Sequence, residues 1–144
     1  MTLHVALTRD LPACWALRRT VFIEEQSVPE DLEVDGLDDE ALHLLATLDG
    51  HPVGTARLLL KGDTGKIGRV AVLRELRGQG IGAALIRAAV EELRGRGLLR
   101  AKLGSQVHAI PFYEGLGFVV VEQERGQMGD GNEYDLLTME KRLD

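Results

Sequence analysis

Apolar and polar residues alternate in seven short segments of the chain, and each of these segments predicts a half-buried strand. The turns Asp49-Gly50-His51 and Gly62-Asp63-Thr64-Gly65 are typical of hairpins, so strands two to four are expected to form an antiparallel meander. The predicted strands are residues 3–7, 42–49, 52–61, 66–72, 100–104, 118–123 and 134–141.

Helical periodicity occupies three further segments. Asp10 is the predicted N-cap of a helix that runs to about residue 26, and residues 106–116 predict another. The clearest helix spans residues 80–96, with five apolar residues on one face and i,i+4 charge pairs on the other. The order β-α-βββ-α-β-α-ββ predicts an α+β fold, with a mixed, mostly antiparallel seven-stranded sheet and helices on both faces.

Length and composition set the broad class. A chain of 144 residues with 44% apolar and 28% charged residues predicts one soluble domain, residues 1–144. No apolar run approaches the ~18 to 20 residues that a membrane span needs, and the N-terminus lacks the pattern of a secretory signal. Cys14 is the lone cysteine and lies among apolar residues, which favours a core thiol over a nucleophile. We expect a cytoplasmic protein with no membrane partner.

Charge is spread unevenly along the chain. The net charge of −6 argues against a nucleic-acid partner, yet residues 24–40 hold nine acids and no Lys or Arg, whereas residues 57–102 hold eleven bases and four acids. Two interpretations stay open: a solvated acidic segment beside a basic helix face, or a site where a polyanion meets the basic region and a cation meets the acidic segment. No Cys/His cluster predicts a metal site.

Three glycines, Gly78, Gly80 and Gly82, stand at alternate positions where the clearest helix begins. A glycine-rich turn before a helix exposes backbone N–H groups to an anion and lets a phosphate approach closely. The segment also fits G-x-G-x-x-A, ending at Ala83, but a dinucleotide fold needs an acid about 20 residues on, and residues 100–105 offer none. The glycines therefore predict a phosphate cradle outside a dinucleotide fold.

Two spaced motifs resemble one known family. The segment Arg77-Gly-Gln-Gly-Ile-Gly82 matches the R/Q-x-x-G-x-G/A signature of the GNAT superfamily of N-acetyltransferases, and it follows Arg69-Val-Ala-Val72, which is similar to that family's fourth strand. The segment Ala109-Ile-Pro-Phe-Tyr-Glu-Gly-Leu-Gly-Phe118 resembles its A-I-x-x-Y-x-x-x-G-F motif. The order of elements also matches, so the resemblance covers essentially the whole chain. Residues 18–43 are similar to the N-terminal half of a small bacterial subgroup.

The resemblance implies a binding site for acetyl-CoA. Backbone N–H groups from Gln79 to Ala83 would hold the pyrophosphate, the fourth strand would pair with the pantetheine, and the sheet would splay between strands four and five. Gln106 stands where the family commonly has asparagine. The implied cofactor-binding residues are Val70, Ala71, Val72, Arg77, Gly78, Gln79, Gly80, Ile81, Gly82, Ala83, Gln106 and Phe112.

Acetyl transfer to an amine also needs a neutral nucleophile, an oxyanion donor and a proton for the departing thiolate. The resemblance assigns the proton donor to Tyr113 and the oxyanion donor to a backbone N–H near Val70. The general base stays open among several acids and one histidine. The candidates are Glu33, Asp35, Glu24, Glu25, His43 and, from the last strand, Glu133 or Asp135.

The resemblance implies an acetyl-CoA-dependent N-acetyltransferase that acts on a small amine through a ternary complex. Two alternatives remain: a non-catalytic acyl-CoA-binding module, and an enzyme that acetylates a protein amine. Homodimers are common in the family, and the C-terminal strands are the candidate interface.

Overall fold

One twisted sheet carries the fold. The computed structural model describes residues 2–127 and 133–144. Its strands are β1 (Leu3–Thr8), β2 (Leu42–Leu48), β3 (His51–Lys61), β4 (Thr64–Val72), β5 (Arg100–Gln106), β6 (Val119–Gln127) and β7 (Glu133–Arg142). They are ordered β1-β2-β3-β4-β5-β7-β6, and only β4 and β5 run parallel. This arrangement confirms the predicted mixed, mostly antiparallel sheet.

In the described residues, four α-helices and several irregular turns connect the strands. The helices are α1 (Leu11–Arg18), α2 (Glu30–Glu33), α3 (Ile81–Gly95) and α4 (Ile110–Glu114). A π-helical segment, Arg19–Glu25, continues α1, and short 3-10 turns occupy Asp38–Glu40, Arg74–Leu76 and Val107–Ala109. None of the helices in the described part of the chain is long and apolar enough to cross a membrane.

The helix ends follow local chemistry. Asp10 caps α1 as predicted, because its Oδ1 accepts from the Ala13 backbone N–H at 3.2 Å. The prediction of a helix over residues 106–116 is wrong for its first part, since β5 continues to Gln106 and α4 begins only at Ile110. Pro111 explains the late start: proline fits the first turn of a helix, where its missing N–H costs no hydrogen bond.

The two faces of the sheet differ in polarity. A Cβ at Gly54 of β3 would lie 3.1 Å from Leu85 of α3, so that face packs on α3 and forms the apolar core. Arg57, three residues along the same strand, points to the opposite face, where it shares Asp38 with Arg18 of α1. The α1 side therefore contains buried charged residues where the α3 side is apolar. Helices lie on both faces, as predicted.

Candidate active site

A β-bulge interrupts the pairing of β3 with β4. On β3, Thr55 pairs with Ala71 of β4, and Arg57 pairs with Gly68. Between these two pairs β3 has a single residue, whereas β4 has two, Arg69 and Val70. Arg69 has φ 50°, a left-handed conformation that costs a non-glycine residue on the order of 1–3 kcal/mol. Bulges and strained residues of this kind concentrate next to active sites.

Strands β4 and β5 pair over three residues only, Thr64 to Lys66 with Arg100 to Lys102. Beyond these pairs the two strands separate. A cavity of about 270 Å³ opens at this point, which we call the splay cavity. Its apolar wall consists of Phe22, Val28, Leu32, Ile67 and Leu103, and its floor of Gly68, Val70 and Gly104. Three polar side chains complete the lining: Glu33, Arg69 and Tyr113. The splay implied by the resemblance is thus confirmed.

Tyr113 reaches the splay cavity from α4. Its ring packs edge-on against Phe112, with ring centroids 5.0 Å apart, and against the buried Phe118 at 6.3 Å. Burial raises the pKa of the Tyr113 phenol above its usual value of 10. The phenol therefore stays protonated at neutral pH and can donate a hydrogen bond or a proton.

Glu33 is the carboxylate that the fold brings to the same cavity. The side chain is only 6% exposed, and its Oε1 accepts from Arg18 Nε at 2.5 Å. Arg69 Nε lies 3.7 Å from the same oxygen. Among the described residues, Oε2 of Glu33 has no hydrogen-bond donor. One oxygen of this carboxylate is thus held by the protein.

Two further aspartates fasten the segment from α2 to the 3-10 turn, residues 30–40, which we call the acidic loop. Asp35 accepts from both Nη atoms of Arg57 at 2.8 Å, and Asp38 accepts from Arg18 Nη1 at 2.8 Å. The Trp15 indole N–H donates to Asp38 at 2.9 Å. These bonds bind the acidic loop to α1 and β3 and so hold Glu33 in the cavity.

The other candidate bases lie elsewhere. His43 is 4% exposed, its Nε2 is 2.9 Å from the Asp38 carbonyl oxygen, and it lines a separate cavity beside Arg9 and Arg96. Glu24 is exposed and does not line the splay cavity, and Glu25 pairs with Arg77. The structure therefore does not bring His43 or these acids to Tyr113. The side chains of Glu133 and Asp135 lie outside the described residues.

The glycine turn forms a second cavity of about 380 Å³, the glycine cleft. Gly78 and Gly80 have φ values of 81° and 86°, which an L-residue rarely adopts, and Gly80 is the N-cap of α3. No side chain of the described residues caps α3, so its first N–H groups are available to an anion. The predicted cofactor residues that line the cleft are Val70, Val72, Arg77, Gly78, Gly80, Ile81, Gly82, Ala83 and Phe112.

Three predicted cofactor residues, Ala71, Gln79 and Gln106, are absent from the cleft lining. Arg77 is present, but its guanidinium is engaged: Nη1 and Nη2 donate to the two oxygens of Glu25 at 2.5 and 2.8 Å, and Nε donates to the Val72 carbonyl at 3.1 Å. Hydrogen bonding to Arg77 lowers the pKa of Glu25. The cleft therefore presents its backbone N–H groups rather than a free arginine.

Sequence reasoning missed three arginines that organise the splay cavity and the acidic loop: Arg18, Arg57 and Arg69. The sequence did contain an indication of this buried charge, because Arg57 interrupts the otherwise apolar part of β3 at a buried position. A buried arginine requires an acidic partner, and residues 24–40 supply the acids. No group of three or more potential metal ligands occurs within residues 2–127 and 133–144.

Comparison with known proteins gives consistent matches. Residues 7–118 match the model of the acetyltransferase (GNAT) family. The Bacillus subtilis protein YyaT is 37% identical over 140 residues, which cover 95% of this chain and 93% of YyaT. An acyl-CoA N-acyltransferase from Pseudomonas aeruginosa is 31% identical, with a TM-score of 0.83 over 97% of this chain and 99% of that one. A GNAT family acetyltransferase from Elizabethkingia anophelis, solved with acetyl-CoA bound, shares the fold at 17% identity, with a TM-score of 0.78 over 98% of each chain.

Proposed function

The chain belongs to the acetyltransferase (GNAT) family, and on that premise we propose that it transfers the acetyl group of acetyl-CoA to the primary amine of a small molecule. One observation carries the proposal: Val70 lines both the glycine cleft and the splay cavity. A ligand whose phosphates lie at the glycine turn can therefore extend along the end of β4 and present its thioester beside Tyr113 and Glu33. This shared wall supports direct attack in a ternary complex, because acetyl-CoA and the amine could be bound at the same time.

Acetyl-CoA fits the lining of the glycine cleft. The N–H groups at the start of α3, from Gly80 to Ala83, would bind the pyrophosphate, which the helix dipole also favours. Val70 and Val72, at the end of β4, and Phe112 would contact the pantetheine. When bound, acetyl-CoA supplies an activated acyl group whose thiolate is a good leaving group.

The remaining chemistry falls to residues of the splay cavity. The amine nitrogen attacks the thioester carbon, and the backbone N–H of Val70 donates to the oxygen that becomes negative. Glu33, through Oε2 and a water molecule, accepts the proton that the amine releases. As the C–S bond breaks, Tyr113 donates its phenol proton to the departing sulfur.

The two alternative functions would need different sites from the one that this chain contains. A non-catalytic acyl-CoA-binding module would need only the glycine cleft, whereas the splay cavity adds a protonated phenol and a carboxylate at its far end. An enzyme for protein amines would need an open groove for a peptide, whereas a cavity of about 270 Å³ suits a small acceptor.

The proposal extends to cell location and assembly. We also propose a cytoplasmic location, because acetyl-CoA, the proposed co-substrate, is a cytosolic metabolite. β6 is an edge strand with exposed Val119, Val120 and Val121, so a homodimer would form through it. Analytical ultracentrifugation of the wild type and a Val120→Lys variant tests the dimer. A wild-type monomer contradicts it.

Two measurements test the enzymatic proposal. Calorimetric titration with acetyl-CoA should show saturable binding, and an amine panel should reveal acceptors that accelerate thiol release, with the N-acetylated product identified by mass spectrometry. Tight acetyl-CoA binding with thiol release no faster than the blank for every amine would support the binding module instead. Absence of binding at millimolar acetyl-CoA would contradict both.

A further inference from the structure

Arg69 presents unused donors to the splay cavity. Its Nη2 is shared among the carbonyl oxygens of Leu32 and Glu33 and a carboxylate oxygen of Asp35, at 3.1, 3.2 and 3.2 Å. Nη1 makes no hydrogen bond to the described residues, and the side chain is 27% exposed. Nε is buried and also lacks a hydrogen-bond partner among them. Since a guanidinium carries five N–H donors, most of those on Arg69 remain free.

Counter-charge is distributed unequally among the three arginines around the acidic loop. Arg57 has a bidentate bond with Asp35, and Arg18 bonds both Glu33 and Asp38, whereas the carboxylate oxygens nearest to Arg69 lie at 3.2 and 3.7 Å. Burial alone would lower the pKa of Arg57, but the bonds to Asp35 raise it. Burial lowers the pKa of Arg69, and the charge of Arg57 lowers it further. Arg69 is therefore the cation that another anion would stabilise most.

The position of Arg69 relates this charge to the reacting atoms. Arg69 precedes Val70, whose backbone N–H is the donor for the thioester oxygen in the proposed function. Arg69 and Val70 both line the splay cavity, so an anion bound to Arg69 would share that cavity with the acyl carbon. A single guanidinium matches the single charge of a carboxylate, and the remaining wall, including Phe22, Val28 and Leu32, is apolar.

We propose that the acceptor is an amino acid with an apolar side chain, whose carboxylate binds Arg69 while its amine faces Val70 and Glu33. This inference rests on the proposed function and specifies its substrate class. Arg69 is then the specificity-determining residue of the cavity. The bulge and the left-handed backbone of Arg69 bring its side chain into the lining of the splay cavity, where the acceptor would bind.

The first test compares L-leucine with L-leucinamide in the thiol-release assay on the wild type. The amide keeps the shape and has a less basic amine, so amine ionisation favours the amide. After correction of kcat/KM for the fraction of neutral amine at the assay pH, we expect it to be about 10-fold or more higher for leucine, mainly through KM, as for one charge-assisted hydrogen bond. Equal values, or a preference for the amide, would overturn the inference. The same comparison with L-phenylalanine and its amide checks the size of the apolar wall.

The second test uses Arg69 variants. Arg69→Gln should remove the preference for leucine over leucinamide, and Arg69→Lys should restore part of it, with acetyl-CoA affinity unchanged in both. Arg19→Gln is the matched control, because it removes an exposed pair with Glu30 of α2 but does not line the cavity. The control should keep the preference. A loss of preference in Arg19→Gln equal to that in Arg69→Gln would assign the effect to loosening of α2 and overturn the inference.

A binding measurement separates this inference from the proposed function. N-acetyl-L-leucine and N-acetyl-L-leucinamide are titrated into the CoA-saturated protein in a calorimeter, with no turnover required. We expect the acid to bind about 10-fold more tightly and Arg69→Gln to abolish the difference. Equal affinities would overturn the inference even if amines are acetylated. Failure of every amine to release CoA would contradict the proposed function, whereas a preference for the acid would still support a carboxylate site at Arg69.

Discussion

The two Nη atoms of Arg57 donate to the two carboxylate oxygens of Asp35, each across 2.8 Å. The Arg57 side chain is 5% exposed, so Asp35 provides the counter-charge that makes its burial in β3 tolerable. The Asp35→Asn variant should therefore lower the free energy of unfolding by ~2 kcal/mol, as expected when charge-assisted hydrogen bonds are lost while Asp38 stays 3.3 Å from Arg57. Urea denaturation measures the change. Glu30→Gln breaks the exposed pair with Arg19 and should cost less than ~1 kcal/mol. Equal losses in both variants would contradict this role.

The same pair gives the protein a defined acid sensitivity. Hydrogen bonding to Arg57 holds the pKa of Asp35 well below its usual range. A carboxyl whose pKa is lower in the folded state stabilises the fold above its unfolded pKa of about 4 and loses that contribution as pH falls toward the folded value. The free energy of unfolding should therefore fall below about pH 4, and Asp35→Asn should flatten that slope. An identical pH dependence in both proteins would show that Asp35 titrates normally.

Gly82 offers a clean test of the glycine cleft. A Cβ at Gly82 would meet nothing closer than 3.9 Å, whereas Gly80 has φ 86°, so only at Gly82 can substitution leave the backbone unstrained. Gly82→Ala should keep acetyl-CoA affinity within a few-fold, as the R/Q-x-x-G-x-G/A signature allows. Gly82→Glu should abolish binding, because it adds bulk and negative charge where the pyrophosphate meets α3. Calorimetry on both folded variants decides, and unchanged affinity in Gly82→Glu would place the phosphates elsewhere.

Glu25 competes for the arginine of the same cleft. Both Nη atoms of Arg77 bond its carboxylate, so the cation is neutralised before any phosphate arrives. Glu25→Gln should tighten acetyl-CoA binding several-fold and steepen its salt dependence, because Arg77 becomes available to the ligand. Isothermal titrations at two salt concentrations measure both effects. Weaker binding would mean that Glu25 instead positions Arg77 for the phosphates.

Local patterns in the sequence predict the strands, the hairpins and α3, because alternation and turn chemistry act within a few residues. The chemistry of the acidic loop depends on contacts across the fold. Glu33 and Asp38 bond Arg18, 15 and 20 residues away, so they are not the solvated charges that a run of acids suggests. Asp39 and Glu40 of the same run are exposed, and for them the solvated interpretation is confirmed.

The glycine cleft was more predictable than the splay cavity for a physical reason. Glycines at a helix start report a backbone conformation directly, and the structure gives Gly78 and Gly80 positive φ angles. No residue pattern predicts the left-handed backbone of Arg69, because the bulge that imposes this conformation arises from the pairing of β4 with β3. The partner of Arg77, Glu25, is 52 residues away, so its pairing also depends on the tertiary fold.

The Tyr113→Phe variant tests the central claim, acetyl transfer in the splay cavity, most directly, because it removes the hydroxyl and keeps the ring that packs on Phe112 and Phe118. The single-turnover rate of acetyl transfer should fall by about 10²- to 10⁴-fold, the usual contribution of general acid catalysis, while acetyl-CoA affinity and the free energy of unfolding stay unchanged. A folded Tyr113→Phe protein that transfers the acetyl group at the wild-type single-turnover rate would contradict the account.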